Sequence, residues 1–172
     1  MDIEQRYERD FITWLERIEK DLHISAQDLK SASWVREVFT THGELPSARF
    51  AHLAFEHRAN LTADAVASVT TAARLDTGRD VSLAPYLVPP DEHLPGGSIG
   101  VAESDVHACD PVGILVEVAD AVQTFVADTY GVVWPVCPDH RSGVHPTRHG
   151  SDAVWWCNTG RHMSEFVHSL RR

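Results

Sequence analysis

The sequence predicts a mainly α fold, a helical bundle body followed by a small C-terminal β-hairpin module. Three observations predict it. Apolar residues recur at steps of three and four over most of the first 131 positions. Cysteine and histidine then crowd into residues 134–172. The charge changes sign at the same point: residues 1–133 carry 10 Lys+Arg against 22 Asp+Glu, and residues 134–172 carry 5 against 3. With 43% hydrophobic and 23% charged residues, the chain has the composition of a globular domain rather than a disordered one.

Each element has a local reason. Over residues 3–22, Ile3, Tyr7, Phe11, Trp14, Leu15, Ile18 and Leu22 fall on one helical face. A second helix starts at Ser25, whose hydroxyl suits the N–H of Asp28, with Ile24 and Leu29 as a hydrophobic staple. Ala32, Val35, Val38 and Phe39 continue its stripe, and Gly43 ends it. A short third helix follows Pro46, with Phe50, Leu53 and Ala54 inward. A fourth starts at Thr62 with Leu61 and Val66 as staple, runs through Val69 and Ala73, and stops before Gly78. Residues 79–104 hold Pro85, Pro89, Pro90, Pro95, Gly96, Gly97 and Gly100 and read as a long loop. Asp110 as N-cap and Pro111 at the first helical position open a buried helix carrying Ile114, Leu115, Val118, Val122, Phe125 and Val126, closed by Gly131. Residues 153–157 read as a strand and 158–160 as a turn, with a second strand or short helix returning.

Cys137 and His140 stand in a C-x-x-H spacing, so one tight turn offers two metal ligands. His145 follows before Pro146, and Cys157 arrives on the expected strand. Two thiolates and two imidazoles form a closed tetrahedral set that zinc favours. The fourth ligand has alternates, His149 and His162, within the cluster of five histidines that also includes His168. A segment this short buries little core, so a structural zinc ion would act as its staple. The expected division is therefore a 1–78 helical region, a 79–104 loop, a 105–131 buried helix and a 132–172 zinc-binding mini-module.

The run "WPVCPDHRSGVHP" followed by "AVWWCNTGR" resembles the C-terminal part of a loose group of small, uncharacterised actinobacterial proteins. These carry W-P-x-C-P-x-H, a nearby H-P, and W-x-C before a glycine turn. The resemblance covers about residues 118–162 and implies Cys137, His140, His145 and Cys157 as the corresponding positions. The group often has leucine after H-P where this chain has Thr147, and its loop from His140 to His145 is long. The resemblance implies no activity.

Other patterns carry less. "GGSIG" places Ser98 in a G-x-S-x-G motif, but no strand–helix elbow surrounds it, which leaves a hydrolase as the least favoured reading. "HLAFEH" spaces His52 and His57 five apart, off a common helical face. "DVHACD" gathers Asp105, His107, Cys109 and Asp110; helix capping accounts for Asp110, and Cys109 can staple onto Ile114. Alternation puts Trp155 and Trp156 on opposite faces, which makes an exposed ring of this pair, with Arg141, Arg148 and Arg161, the expected contact surface. The expected role is a non-enzymatic, protein-binding adaptor or regulatory protein. The alternative is nucleic-acid binding through residues 134–172, against which the acidic body counts. No stretch reaches the ~18 apolar residues of a membrane span. The charged N-terminus lacks a signal-peptide core, and the three cysteines suit a reducing, cytoplasmic setting.

Overall fold

A computed structural model describes residues 3–167; His168 and the end of the expected 132–172 module lie outside the described residues. Among the described residues there are five helices: α1 (Ile3–Leu22), α2 (Ala26–Ser31), α3 (Ser33–His42), α4 (Ser47–Thr77) and α5 (Pro111–Tyr130). Two antiparallel three-stranded sheets accompany them. One has the order β1 (Tyr86–Val88), β2 (Ser98–Val101), β3 (Ser104–Asp105); the other β4 (His145–His149), β5 (Asp152–Cys157), β6 (His162–Phe166). Helices take about half of the described residues, so the chain is α-rich but holds more sheet than one hairpin. No described helix is long and apolar enough to cross a membrane.

The first core is aromatic. Phe11, Trp14, Leu15, Ile18 and Leu22 of α1 are buried, whereas Ile3 is 86% exposed. Trp14 meets Phe50 edge-on at 5.0 Å and donates its indole N–H to the Leu45 carbonyl at 2.9 Å. Ser25 caps α2 by accepting the Asp28 N–H at 3.3 Å. The expected second helix is divided: Ala32 is extended (φ −86, ψ 109) and separates α2 from α3. Gly43 ends α3 at φ 69, a backbone state that suits glycine.

The expected third and fourth helices are one continuous α4 of 31 residues. At ~1.5 Å per residue it is roughly 46 Å long. Residues 56–62 lack an apolar stripe, yet Arg58 and Thr62 there are buried, and Arg58 donates to the Val106 carbonyl. Leu53, expected inward, is 39% exposed. Phe50, Ala51 and Ala54 belong to the first core; Phe55, Ala65, Val66, Val69 and Ala73 belong to a second.

The 79–104 segment is not simply a loop. Tyr86, Leu87 and Val88 pair with Gly100, Ile99 and Ser98, and Ile99 and Val101 are buried in the second core. Asp105 accepts hydrogen bonds from Tyr86 and Ser98 at 3.1 and 2.9 Å.

Asp110 caps α5 by accepting the N–H groups of Val112 and Gly113, both at 3.1 Å, and also pairs with Arg148 of β4. Asp110→Ala removes the cap and strands that arginine. A loss of about 1–2 kcal/mol is expected, read as a lower urea midpoint at unchanged slope. Cys109 does not staple onto Ile114. It packs into the first core, Ile114 into the second, and burial pushes its thiol up to about 11.

The β4–β6 sheet lies on α5. Trp134, Val144, Ala153, Trp155 and Cys157 share the second core with Val118, Val122 and Val126. Gln123 of α5 donates to the carbonyls of Trp134 and Val144 at 2.9 and 2.6 Å. Trp134 donates to Asp76 of α4 at 3.0 Å. The expectation that an ion alone holds the C-terminal segment is thereby corrected: an apolar interior shared with α4 and α5 also holds it.

Candidate metal centre

Two tight turns converge at one end of the β4–β6 sheet. In the first, Arg141 N–H donates to the Cys137 carbonyl and Cys137 N–H to the Ser142 carbonyl, both at 2.8 Å. Arg141 takes a positive φ of 51, which folds residues 137–142 back so that Cys137 and His140 face the same point. In the second, Cys157 ends β5 and His162 starts β6 directly opposite it. Cross-strand partners project to one side of a sheet, so this register brings the two side chains together. Gly160 N–H donates to Cys157 Sγ at 3.4 Å across that turn.

The outcome is a cluster of Cys137, His140, Cys157 and His162, whose ligand atoms all lie within 4.8 Å of one another. Cys137 Sγ is 3.5 Å from His140 Nδ1 and 3.6 Å from His162 Nε2, and Cys157 Sγ is 3.6 Å from His140 Nδ1. A tetrahedral ion bonded at ~2.3 Å to sulfur and ~2.0–2.1 Å to nitrogen separates the two atom types by about 3.5–3.6 Å. The three sulfur–nitrogen distances match that spacing, and the four ligand atoms lie close enough to bind one metal ion.

Surrounding groups favour the metal-binding forms. His162 Nδ1 lies 3.0 Å from the Met163 carbonyl; donating there leaves Nε2 with its lone pair toward the sulfurs. Burial pushes the Cys137 thiol up, but hydrogen bonds from the His140 and Asp139 backbone N–H groups and from the Cys157 and Ser164 side chains together hold it below its ordinary value. The Gly160 N–H does the same for Cys157, helped by Ser142. The β5–β6 pairing slips between Trp155 and Trp156, which leaves Ser164 as the extra residue of a bulge, and its side chain hydrogen-bonds Cys137.

The structure unites three of the four preferred ligands, Cys137, His140 and Cys157, with the alternate His162. His145 stands outside this group and is corrected: it pairs with Trp156, so it lies on the sheet face opposite Cys157. His149 is also outside and stacks on Trp156 at 6.1 Å. Trp155, named as a contact residue, is 3% exposed and packs edge-on against Trp134 at 5.4 Å. Trp156 is half-buried, Arg141 and Arg161 are exposed, and Arg148 is committed to Asp110. Ser98 opens β2 and donates to Asp105, without a histidine between them. His52 is exposed and His57 is half-buried against Trp34 at 4.5 Å. Asp105, His107, Cys109 and Asp110 form no second ligand group among the described residues.

Sequence reasoning missed Gly160. A Cβ there would stand 2.3 Å from His140 Cε1 and 2.5 Å from His162 Cδ2, so only glycine lets both imidazoles close on the site. Gly160→Ala is expected to weaken metal affinity by about tenfold to a hundredfold, the scale of a supporting contact around a metal. Competition with a chromophoric chelator measures it; unchanged affinity would show that the rings are not bound in this geometry.

No family model, curated protein or solved structure matches this chain.

Proposed function

We propose that Cys137, His140, Cys157 and His162 hold one structural zinc ion, and that the protein is a non-enzymatic adaptor or regulatory protein that binds another protein. The sulfur–nitrogen spacing of the cluster carries the metal reading. Two thiolates and two imidazoles suit zinc among divalent ions and fill its four positions, which leaves none for substrate or water.

The outer face of the β4–β6 sheet supports the binding role. Trp156 pairs with Met163, and Val154 with Phe166, which sets Trp156, Met163 and Phe166 on the face away from Trp155 and Cys157. Met163 is 40% and Phe166 47% exposed. A half-buried tryptophan beside exposed apolar side chains is the composition of a contact patch. The nucleic-acid alternative draws only on exposed Arg141 and Arg161 at the two turns. Electrophoretic shift of labelled DNA or RNA that weakens with salt would favour it.

Elemental analysis of the purified chain tests the metal. One zinc per chain is expected, lost in His162→Ala and kept in His145→Ala; the reverse pattern would overturn the ligand set. A photo-reactive residue at Met163 tests the patch. Specific cross-links abolished by Trp156→Glu are expected, and cross-links indifferent to that change would remove the surface from consideration.

A further inference from the structure

A cavity of about 410 Å³ lies between the α1–α2 turn and residues 93–107, apart from the metal centre. Its size falls in the ~300–1,000 Å³ range of small-molecule sites. Close backbone approach builds one wall. A Cβ on Gly96 would stand 2.8 Å from the Leu22 carbonyl oxygen, and one on Gly97 would stand 2.7 Å from Phe55 Cδ2.

Arg58 lines this cavity and is only 4% exposed. Nη2 donates to the Val106 carbonyl, while the buried Nε has no partner. Among the described residues no carboxylate forms an ion pair with it. A buried cation without a counter-charge is costly, and an anion would offset that cost. Asp28 lines the same cavity and likewise has no ion pair among the described residues. The other carboxylate, Asp105, already accepts from Tyr86 and Ser98. One cavity is thus lined by two residues of opposite charge, neither of them ion-paired among the described residues.

We propose that this cavity binds a small zwitterion of the α-amino acid class, with its carboxylate on Arg58 and its ammonium on Asp28. The guanidinium supplies directional donors that match a carboxylate, and the Asp28 carboxylate accepts from the ammonium. Neither charge alone selects the ligand; the pair does, so an amine without a carboxylate, or the reverse, satisfies only half of the site.

Titration of the full-length, metal-loaded protein with individual α-amino acids, followed by amide chemical shifts, tests the proposal. At least one amino acid is expected to shift residues 22–28 and 93–107. The matching acid without the amine and the methyl ester without the carboxylate should bind at least about tenfold more weakly, as should Arg58→Gln and Asp28→Asn. Asp28 is only half-buried, so Asp28→Asn decides the matter if Arg58→Gln fails to fold. No shift with any amino acid at millimolar concentration would overturn the proposal. So would equal binding of the one-charge analogues, equal binding by Asp28→Asn, or shifts confined to residues 137–162, which report chelation of the metal.

Discussion

Cys157→Ser, or chelation of the unmodified protein, is expected to lower the melting temperature by on the order of 10 °C. An ion bound only by the native state stabilises it by about 4 kcal/mol when free metal stands a thousandfold above its dissociation constant. Each kcal/mol moves the midpoint by about 2–4 °C in a chain of this size. Complete unfolding is not expected. The apolar contacts of the β4–β6 sheet with α5, and the Gln123 hydrogen bonds to the Trp134 and Val144 carbonyls just before it, do not require a metal. Local loosening should appear first around the Trp134–Trp155 pair, which shares the second core with Cys137 and Cys157. Differential scanning calorimetry with and without chelator, alongside near-ultraviolet circular dichroism, measures both effects. A Cys157→Ser variant that retains stoichiometric zinc and an unshifted transition would refute the metal's structural role.

Trp14→Ala is expected to cost about 3–5 kcal/mol, the range for deleting a fully buried aromatic ring. Trp14 has no exposed surface and sits among Phe11, Phe39 and Phe50 with ring centroids 5.0–6.2 Å away. Its removal also takes the N–H donor from the Leu45 carbonyl, which lies in the connection between α3 and α4. Trp14→Phe keeps much of the ring packing and loses the donor, so a smaller loss of about 1–3 kcal/mol is expected. Urea unfolding compares the two. Equal losses would show that the hydrogen bond, rather than the aromatic packing, dominates at this site.

Local signals were readable where the chain itself satisfies them. Asp110 with Pro111, Ser25 opposite Asp28, and the glycines at 43, 78 and 131 all mark helix ends, because capping chemistry lies within a few residues. The continuity of α4 was hidden because its middle buries Arg58 and Thr62, which read as surface residues until Val106 arrives from a distant segment. Strands β1 and β2 were hidden for a related reason. Three or four residues among prolines and glycines have no period of their own, and their pairing across the 89–97 connection supplies the order. The candidate metal ligands divide along the same line. Cys137 and His140 share one turn, so their spacing announces them. The choice of His162 over His145 rests on strand register, a long-range property to which sequence spacing is blind.

Because α4 contributes side chains to both interiors, neither can melt without releasing part of the rod that supports the other. Heating should therefore produce one cooperative transition rather than two. A proline placed in the polar middle of the helix would uncouple the halves and divide that transition, turning a single folding unit into two that fail separately.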